Sequence, residues 1–165
     1  RRRSGRTLTQ AGLALVLAWF AAATAFAIDC TVATSGVAFG AYDATLATPT
    51  DSVGNITVRC SHVGGGAQKT SYTVALSAGS SGDFARRTMR AGKSTLDYNL
   101  FSSATRTQVW GNGSRGSTLV GGSLLVNPGK FTINEIVHPI YGRIPPLQSP
   151  EPGSYSDNIL ITLSF

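Results

Sequence analysis

The sequence has few of the side chains from which metal sites are usually built. Its 165 residues include two cysteines and two histidines, no CxxC spacing occurs, and His62 and His138 are isolated. Because zinc sites take three or four such ligands held close together, a metal site would have to be assembled from scattered parts. We therefore predict no metal site and no cofactor.

Charged residues are also scarce, at 13% of the chain, and the eight acidic residues are scattered singly. A paired acid and base therefore has no support in the sequence. Composition leaves a Ser-His-acid triad open, but no GxSxG motif is present. Residues 111–116 match GxGxxG, yet the β-like residues 117–126 follow, whereas a dinucleotide site needs a helix there. We predict a hairpin loop at residues 111–116, no catalytic residues and no enzymatic activity.

The longest uncharged run lies near the amino end. Arg1, Arg2, Arg3 and Arg6 precede an Ala- and Leu-rich stretch at 11–23, and Ala25-Phe26-Ala27 follows. This order predicts a secretory signal peptide over residues 1–27, cleaved after Ala27. A retained membrane anchor is the alternative, but a core of about 13 residues is short against the roughly 20 that span a bilayer.

Removal of residues 1–27 changes the charge of the protein. The full chain has a net charge of +6, but residues 28–165 keep ten basic and eight acidic residues, a net charge of +2. The basic character is therefore mostly a property of the export signal and does not indicate a nucleic-acid partner. Residues 28–165 have the length of one ordinary domain.

Cys30 and Cys60 are the only cysteines. In an exported chain an even pair predicts a disulfide, here closing a loop of about 30 residues. Such a bond contributes roughly 3 to 4 kcal/mol to stability in the chain-entropy description.

Residues 28–165 are dominated by alternation of apolar and polar side chains, which is typical of half-buried strands. At the carboxyl end the alternation places Ile159, Ile161, Leu163 and Phe165 on one face of residues 156–165. Other predicted strands are 30–34, 37–42, 54–60, 71–78, 96–102, 119–126, 130–137 and 139–144. Gly, Pro, Ser and Asn cluster between them. Many short strands separated by turns favour an all-β fold, an immunoglobulin-like antiparallel β-sandwich.

The only basic cluster consists of Arg86, Arg87, Arg90 and Lys93, flanked by Gly and Ser. We interpret it as a solvated loop, because charge runs usually serve solubility. Contact with acidic surface polymers is the alternative.

Several short motifs occur together in a characteristic order. They are CTV at 30–32, VAFG at 37–40, GNITVRC at 54–60, YTVAL at 72–76, RTM at 87–89, LDYNL at 96–100, WG at 110–111, YGRIP at 141–145, GSYSD at 153–157 and the terminal aromatic Phe165. No single motif is specific, but their order and spacing resemble a spore coat protein U domain across essentially all of residues 28–165.

The resemblance implies a subunit of an archaic chaperone-usher pilus or related coat. Subunits of this kind are immunoglobulin-like domains that lack a final strand and are completed by a strand from another chain. The partners implied are a periplasmic chaperone, an outer-membrane usher and neighbouring subunits, with no small-molecule substrate, and the location is the cell surface after export through the periplasm. The residues implied for the family-motif core are Tyr72, Met89, Tyr98, Trp110, Tyr141, Gly142, Pro145, Gly153, Tyr155 and Asp157.

The apolar face at the carboxyl end is then expected to border an open strand-acceptor groove, formed by Ile159, Ile161, Leu163 and Phe165. Polymerising members of the family carry a donor strand ahead of the first cysteine. Cleavage after Ala27 leaves only Ile28 and Asp29 there, which predicts a terminal or minor subunit that accepts a strand but donates none. A free-standing secreted binding or adhesion module of the same fold is the alternative, and a secreted enzyme is a third interpretation.

Overall fold

The computed structural model describes residues 27–128 and 134–165. The predicted signal peptide therefore lies, apart from Ala27, outside the described residues. The strands are β1 (Ile28–Thr34), β2 (Thr50–His62), β3 (Gln68–Leu76), β4 (Arg87–Ala91), β5 (Ser94–Phe101), β6 (Val120–Val126), β7 (Asn134–Ile144) and β8 (Ile161–Ser164). A single 3-10 turn, Gly79–Ser81, is the only helical element in the described part of the chain.

The strands form two antiparallel sheets. The first has the order β1-β2-β7-β5-β4 and the second the order β6-β3-β8. Register is well defined, since β2 and β7 pair over eleven consecutive positions, from Thr50 opposite Ile144 to Cys60 opposite Asn134. The predicted all-β sandwich is confirmed.

The core lies between the two sheets and follows the alternation of the sequence. Ile56 and Val58 point inward from β2, and Val74 points inward from β3, all three with no exposed surface. Burial of each such aliphatic side chain contributes about 1.5 to 3 kcal/mol. The indole of Trp110 is also fully buried, and its Nε1 donates to the Val74 carbonyl at 2.9 Å. Period-two patterning therefore places the core correctly.

The two cysteines form a disulfide bond that joins neighbouring strands. Cys30 of β1 lies directly opposite Cys60 of β2 in the antiparallel ladder, with both sulfur atoms inside the core. The bond therefore fixes β1, an edge strand, to its neighbour β2.

Two strand predictions differ from the structure at β7. The sequence pattern predicted two strands, 130–137 and 139–144, with a break before Pro139. In the structure β7 runs without interruption from Asn134 to Ile144. Proline lacks the N–H that a doubly paired strand needs. β5 pairs with β7 only from Tyr141 to Arg143, so Pro139 has a single neighbouring strand and is tolerated. Residues 130–133 lie outside the described residues.

The basic cluster at 86–93 is not a simple solvated loop. Arg87 begins β4 and has no exposed surface. Its guanidinium donates at 2.7 Å to the carbonyl of Ser77, to Oδ1 of Asn99 and to the carbonyl of Trp110. The solvated-loop prediction is therefore wrong for Arg87, because a buried cation satisfied by several acceptors is stable inside the fold.

Within the described residues, no helix is long and apolar enough to cross a bilayer.

Candidate strand-acceptor groove

An apolar groove opens between β8 and the segment that follows β1. β8 is the outer strand of the three-stranded sheet, and among the described residues only β3 pairs with it. Across the groove lies segment 37–42, which was predicted as a strand but has no ladder partner in the described chain. Val37 and Phe39 nevertheless pack against the core, while Ala38 between them is exposed. Among the described residues, the edge of β8 that faces the groove and the backbone of segment 37–42 therefore both lack a neighbouring strand.

Two glycines allow segment 37–42 to lie on the inner face of the five-stranded sheet. A Cβ on Gly54 of β2 would overlap the carbonyl of Gly36. A Cβ on Gly142 of β7 would lie 2.7 Å from side-chain carbons of Val37 and Phe39. This close approach needs glycine at both positions, and it fixes the position of one wall of the groove.

The floor of the groove is formed by inward-facing side chains of both sheets. The larger sheet contributes Met89, Tyr98, Leu100 and Ile140 from β4, β5 and β7, and the smaller sheet contributes Leu76 from β3. The cavity there has a volume of about 290 Å³. A second opening of about 680 Å³ adjoins it and shares Val37, Phe39, Met89 and Tyr155. Folded cores contain few voids larger than a water molecule, so this sandwich is incompletely filled along one side.

One polar group lies in this apolar surface. The Tyr98 hydroxyl donates to Oδ2 of Asp157 at 2.8 Å, and Oδ1 of Asp157 accepts from the backbone N–H of Ser80 at 2.9 Å. Burial, followed by the bond to Asp157, raises the pKa of Tyr98 far above its usual value. The phenol therefore stays protonated and acts as a structural donor. The described residues hold no group of three potential metal ligands.

The four residues predicted for the groove occupy different positions. Ile159 and Ile161 line the cavity. Leu163 is half-buried against the core but does not line the cavity, and Phe165 is 58% exposed. The alternation of the last strand thus points three of its residues inward, and only two of them reach the groove.

The family-motif residues also divide into groups. Tyr72, Met89, Tyr98, Trp110 and Gly142 are buried, and Tyr155 and Asp157 are half-buried at the groove. Tyr141 instead faces outward, with the Arg106 guanidinium 5.7 Å from its ring centre, whereas Pro145 and Gly153 are exposed.

Sequence reasoning did not assign the far wall and the floor of the groove. Val37 and Phe39 carried a visible signal, the alternation in VAFG, but that pattern does not specify which strand lies opposite. The floor residues Leu100 and Ile140 look like any other core positions, because nothing in a strand pattern distinguishes a covered side chain from an uncovered one.

Comparison with known proteins agrees with this architecture. No match was found among curated proteins. Among solved structures, one similar chain belongs to the CsuC-CsuE complex of Acinetobacter baumannii, described as a chaperone-tip adhesion subunit pre-assembly complex from archaic chaperone-usher Csu pili. The likeness has a TM-score of 0.54 and 22% identity over 84% of this chain. This protein spans only 40% of that chain, so the likeness concerns the fold.

The model of the Spore Coat Protein U domain matches residues 16–162. This range includes both walls of the groove, its floor and the disulfide. The chain belongs to the Spore Coat Protein U domain family.

Proposed function

We propose that this protein is a non-enzymatic structural subunit of a cell-surface fibre or coat of the archaic chaperone-usher type, and that a strand from another chain fills its groove. The observation that carries the proposal is the open apolar cavity, bordered on one side by the edge of β8 that faces away from β3 and on the other by residues 37–42, which have no ladder partner among the described residues.

A strand is the ligand that best fits such a groove. It would pair with β8 on one side and with segment 37–42 on the other, which would extend the three-stranded sheet to five strands. Its alternate side chains would enter the cavity beside Ile159 and Ile161. Backbone pairing combined with pockets for every second side chain is the general mode of β-strand addition. An unpaired apolar edge otherwise favours aggregation.

The partners follow from this chemistry. In the periplasm a chaperone would supply the missing strand, because a partner that binds only the folded state stabilises that state by mass action. A neighbouring subunit would replace the chaperone at the outer-membrane usher. The similar Csu chain comes from a complex of a chaperone with a subunit, which supports the same arrangement here.

We further propose that the subunit accepts a strand without donating one. Only Ile28 and Asp29 lie between the predicted cleavage site after Ala27 and Cys30, and both belong to β1, paired with His62 and Ser61. Neither of these two residues is then free to pair with another molecule as a donor strand, which suits a terminal or minor subunit. Sequencing of the mature amino terminus tests this proposal. A mature chain that starts at Ile28 supports it, and a mature chain that starts ten or more residues earlier contradicts it.

The groove can be tested with two neighbouring positions of β8. Ile161 lines the groove, whereas Thr162 faces outward and is exposed. We expect Ile161→Lys to abolish co-purification with the cognate periplasmic chaperone and Thr162→Lys to leave it intact. Circular dichroism of both variants checks that their sheets are formed.

The unmodified chain provides the second test. Exported without the chaperone, it should aggregate or be degraded, and co-expression should restore soluble protein. A chain that is a stable soluble monomer by itself, with no gain from the chaperone, would contradict the proposal and favour a free-standing binding module.

A further inference from the structure

β6 is the edge strand on the side of the small sheet opposite the groove, and the hydrogen bond from Nε2 of His62 to its backbone is at its last residue, the Val126 carbonyl, at 3.1 Å. Among the described residues only β3 pairs with it. No charged residue occurs between Arg115 and Lys130, and β6 itself contains no proline. Edge strands of monomeric proteins usually carry a charge, a proline or a bulge that blocks pairing with other chains. β6 has neither a charge nor a proline.

The two large exposed side chains beside and within this strand are apolar and symmetrically placed. Leu119 is 45% exposed and Leu125 is 59% exposed, and both lie on the outward face together with Gly121 and Ser123. The midpoint between the two leucines is Gly122. A two-fold axis through Gly122 would therefore bring Leu119 of each copy opposite Leu125 of the other.

We propose that β6 pairs antiparallel with β6 of a second copy of this chain, with Gly122 opposite Gly122. This register gives two cross-strand leucine pairs on the outer face and places Val120 opposite Leu124 on the inner one. Cross-strand apolar pairs are the main side-chain stabilisation of antiparallel sheets. The interface is isologous, so it closes as a dimer and does not propagate.

The other edges suit this role less well. β1 carries Asp29, and β4 is covered at Arg90, whose backbone exchanges hydrogen bonds of 2.9 and 3.1 Å with Ser156. β8 borders the groove. Pairing through β6 would join the two small sheets into one six-stranded sheet, with a copy of β8 at each end. Dimerisation through β6 is therefore compatible with acceptance of a strand beside β8.

Cysteine cross-linking tests the register directly. The mature chain is used alone or bound to its chaperone, whichever is soluble, since the proposed donated strand enters beside β8, at the edge of the small sheet opposite β6. We expect a mixture of Leu119→Cys and Leu125→Cys chains to form a disulfide-linked dimer under mild oxidation, and neither variant alone to do so. No cross-link in the mixture, or equal cross-linking in the single variants, would overturn the proposal.

Sedimentation provides an independent measurement. Ser123→Lys places a charge on the outward face of β6, whereas Ser71→Lys places the same charge on β3, directly opposite Ser123 in the ladder. We expect Ser123→Lys to convert the dimer to a monomer and Ser71→Lys to leave the dimer intact. A parent chain that sediments as a single copy at all concentrations contradicts the proposal. Both experiments measure contacts at β6 and not at the groove, so failure here is separate from failure of strand acceptance.

Discussion

Arg87 illustrates what a sequence pattern leaves undetermined about a single side chain. It is one of four basic residues within 86–93, and although it begins the RTM motif, neither its charge nor its spacing distinguishes it from Arg86 as a buried residue. In the structure Arg87 is fully buried below the ring of Phe84, whereas the Arg86 side chain is 73% exposed. Burial is decided by the distant acceptors at Ser77 and Trp110, which local spacing does not reveal.

We expect Arg87→Ala to destabilise the domain by at least about 1 to 3 kcal/mol, because removal of the guanidinium leaves buried neutral acceptors unsatisfied. Arg86→Ala is the matched control. Its contact with Asp97 is long, at 3.6 Å, and exposed, so its cost should stay below about 1 kcal/mol. Thermal unfolding of the soluble form, alone or chaperone-bound, measures both. Equal melting temperatures for the two variants would contradict the buried network.

His138 makes the stability depend on pH. Its Nε2 lies 2.7 Å from the Tyr72 hydroxyl, and burial lowers the pKa of His138 below 6.5. The unfolded chain therefore binds a proton more readily than the folded one, so this contribution is complete above about pH 6.5 and is lost as the pH falls through the lowered pKa.

We accordingly expect the urea midpoint of the parent protein to fall between pH 7 and pH 5 by more than that of His138→Gln, which does not titrate. An identical decrease in both proteins would assign the pH dependence to other groups.

Among the elements, the long paired strands were the most predictable. The alternation around Ile56 and around Val74 identified β2 and β3. β2 extends beyond the predicted 54–60 at both ends, whereas β3 begins three residues before the predicted 71–78 and ends two residues earlier. β4 was missed because RTMRA lacks β-branched and aromatic residues apart from one threonine. Segment 37–42 has the alternation of a strand but no strand pairs with it among the described residues. The sequence therefore predicted its extended conformation, whereas the lack of a pairing strand cannot be read from a local pattern.

The wall formed by segment 37–42 should depend on Gly54. We expect Gly54→Ala to cost about 1 to 3 kcal/mol, as overpacking of a filled site does, because the new Cβ would meet the rigid backbone of Gly36. Gly66→Ala is the control, since no atom lies within 4 Å of its added Cβ. Chaperone binding should weaken for Gly54→Ala and remain unchanged for Gly66→Ala. If Gly54→Ala bound the chaperone as tightly as the parent does, the position of segment 37–42 would not depend on Gly54.

The sandwich as a whole was predictable, and its open side only in part. Period-two patterning implied two sheets, and it placed Ile159 and Ile161 on one face of the last strand; both side chains line the cavity. The groove itself depends on how the chain after β1 crosses over Gly54 and Gly142 towards Tyr98, where the Phe39 ring meets the Tyr98 ring at 5.9 Å. That crossing is a long-range arrangement, and no local pattern encodes it.

Hydrogen exchange at the two groove walls is the most direct measurement of whether an added strand completes this fold. Amide protection would be compared between the free chain, kept dilute, and the chaperone-bound chain. We predict that binding protects amides both in β8 and in segment 37–42, while β6 amides are unchanged. A complex in which neither wall gains protection would contradict strand insertion into this groove.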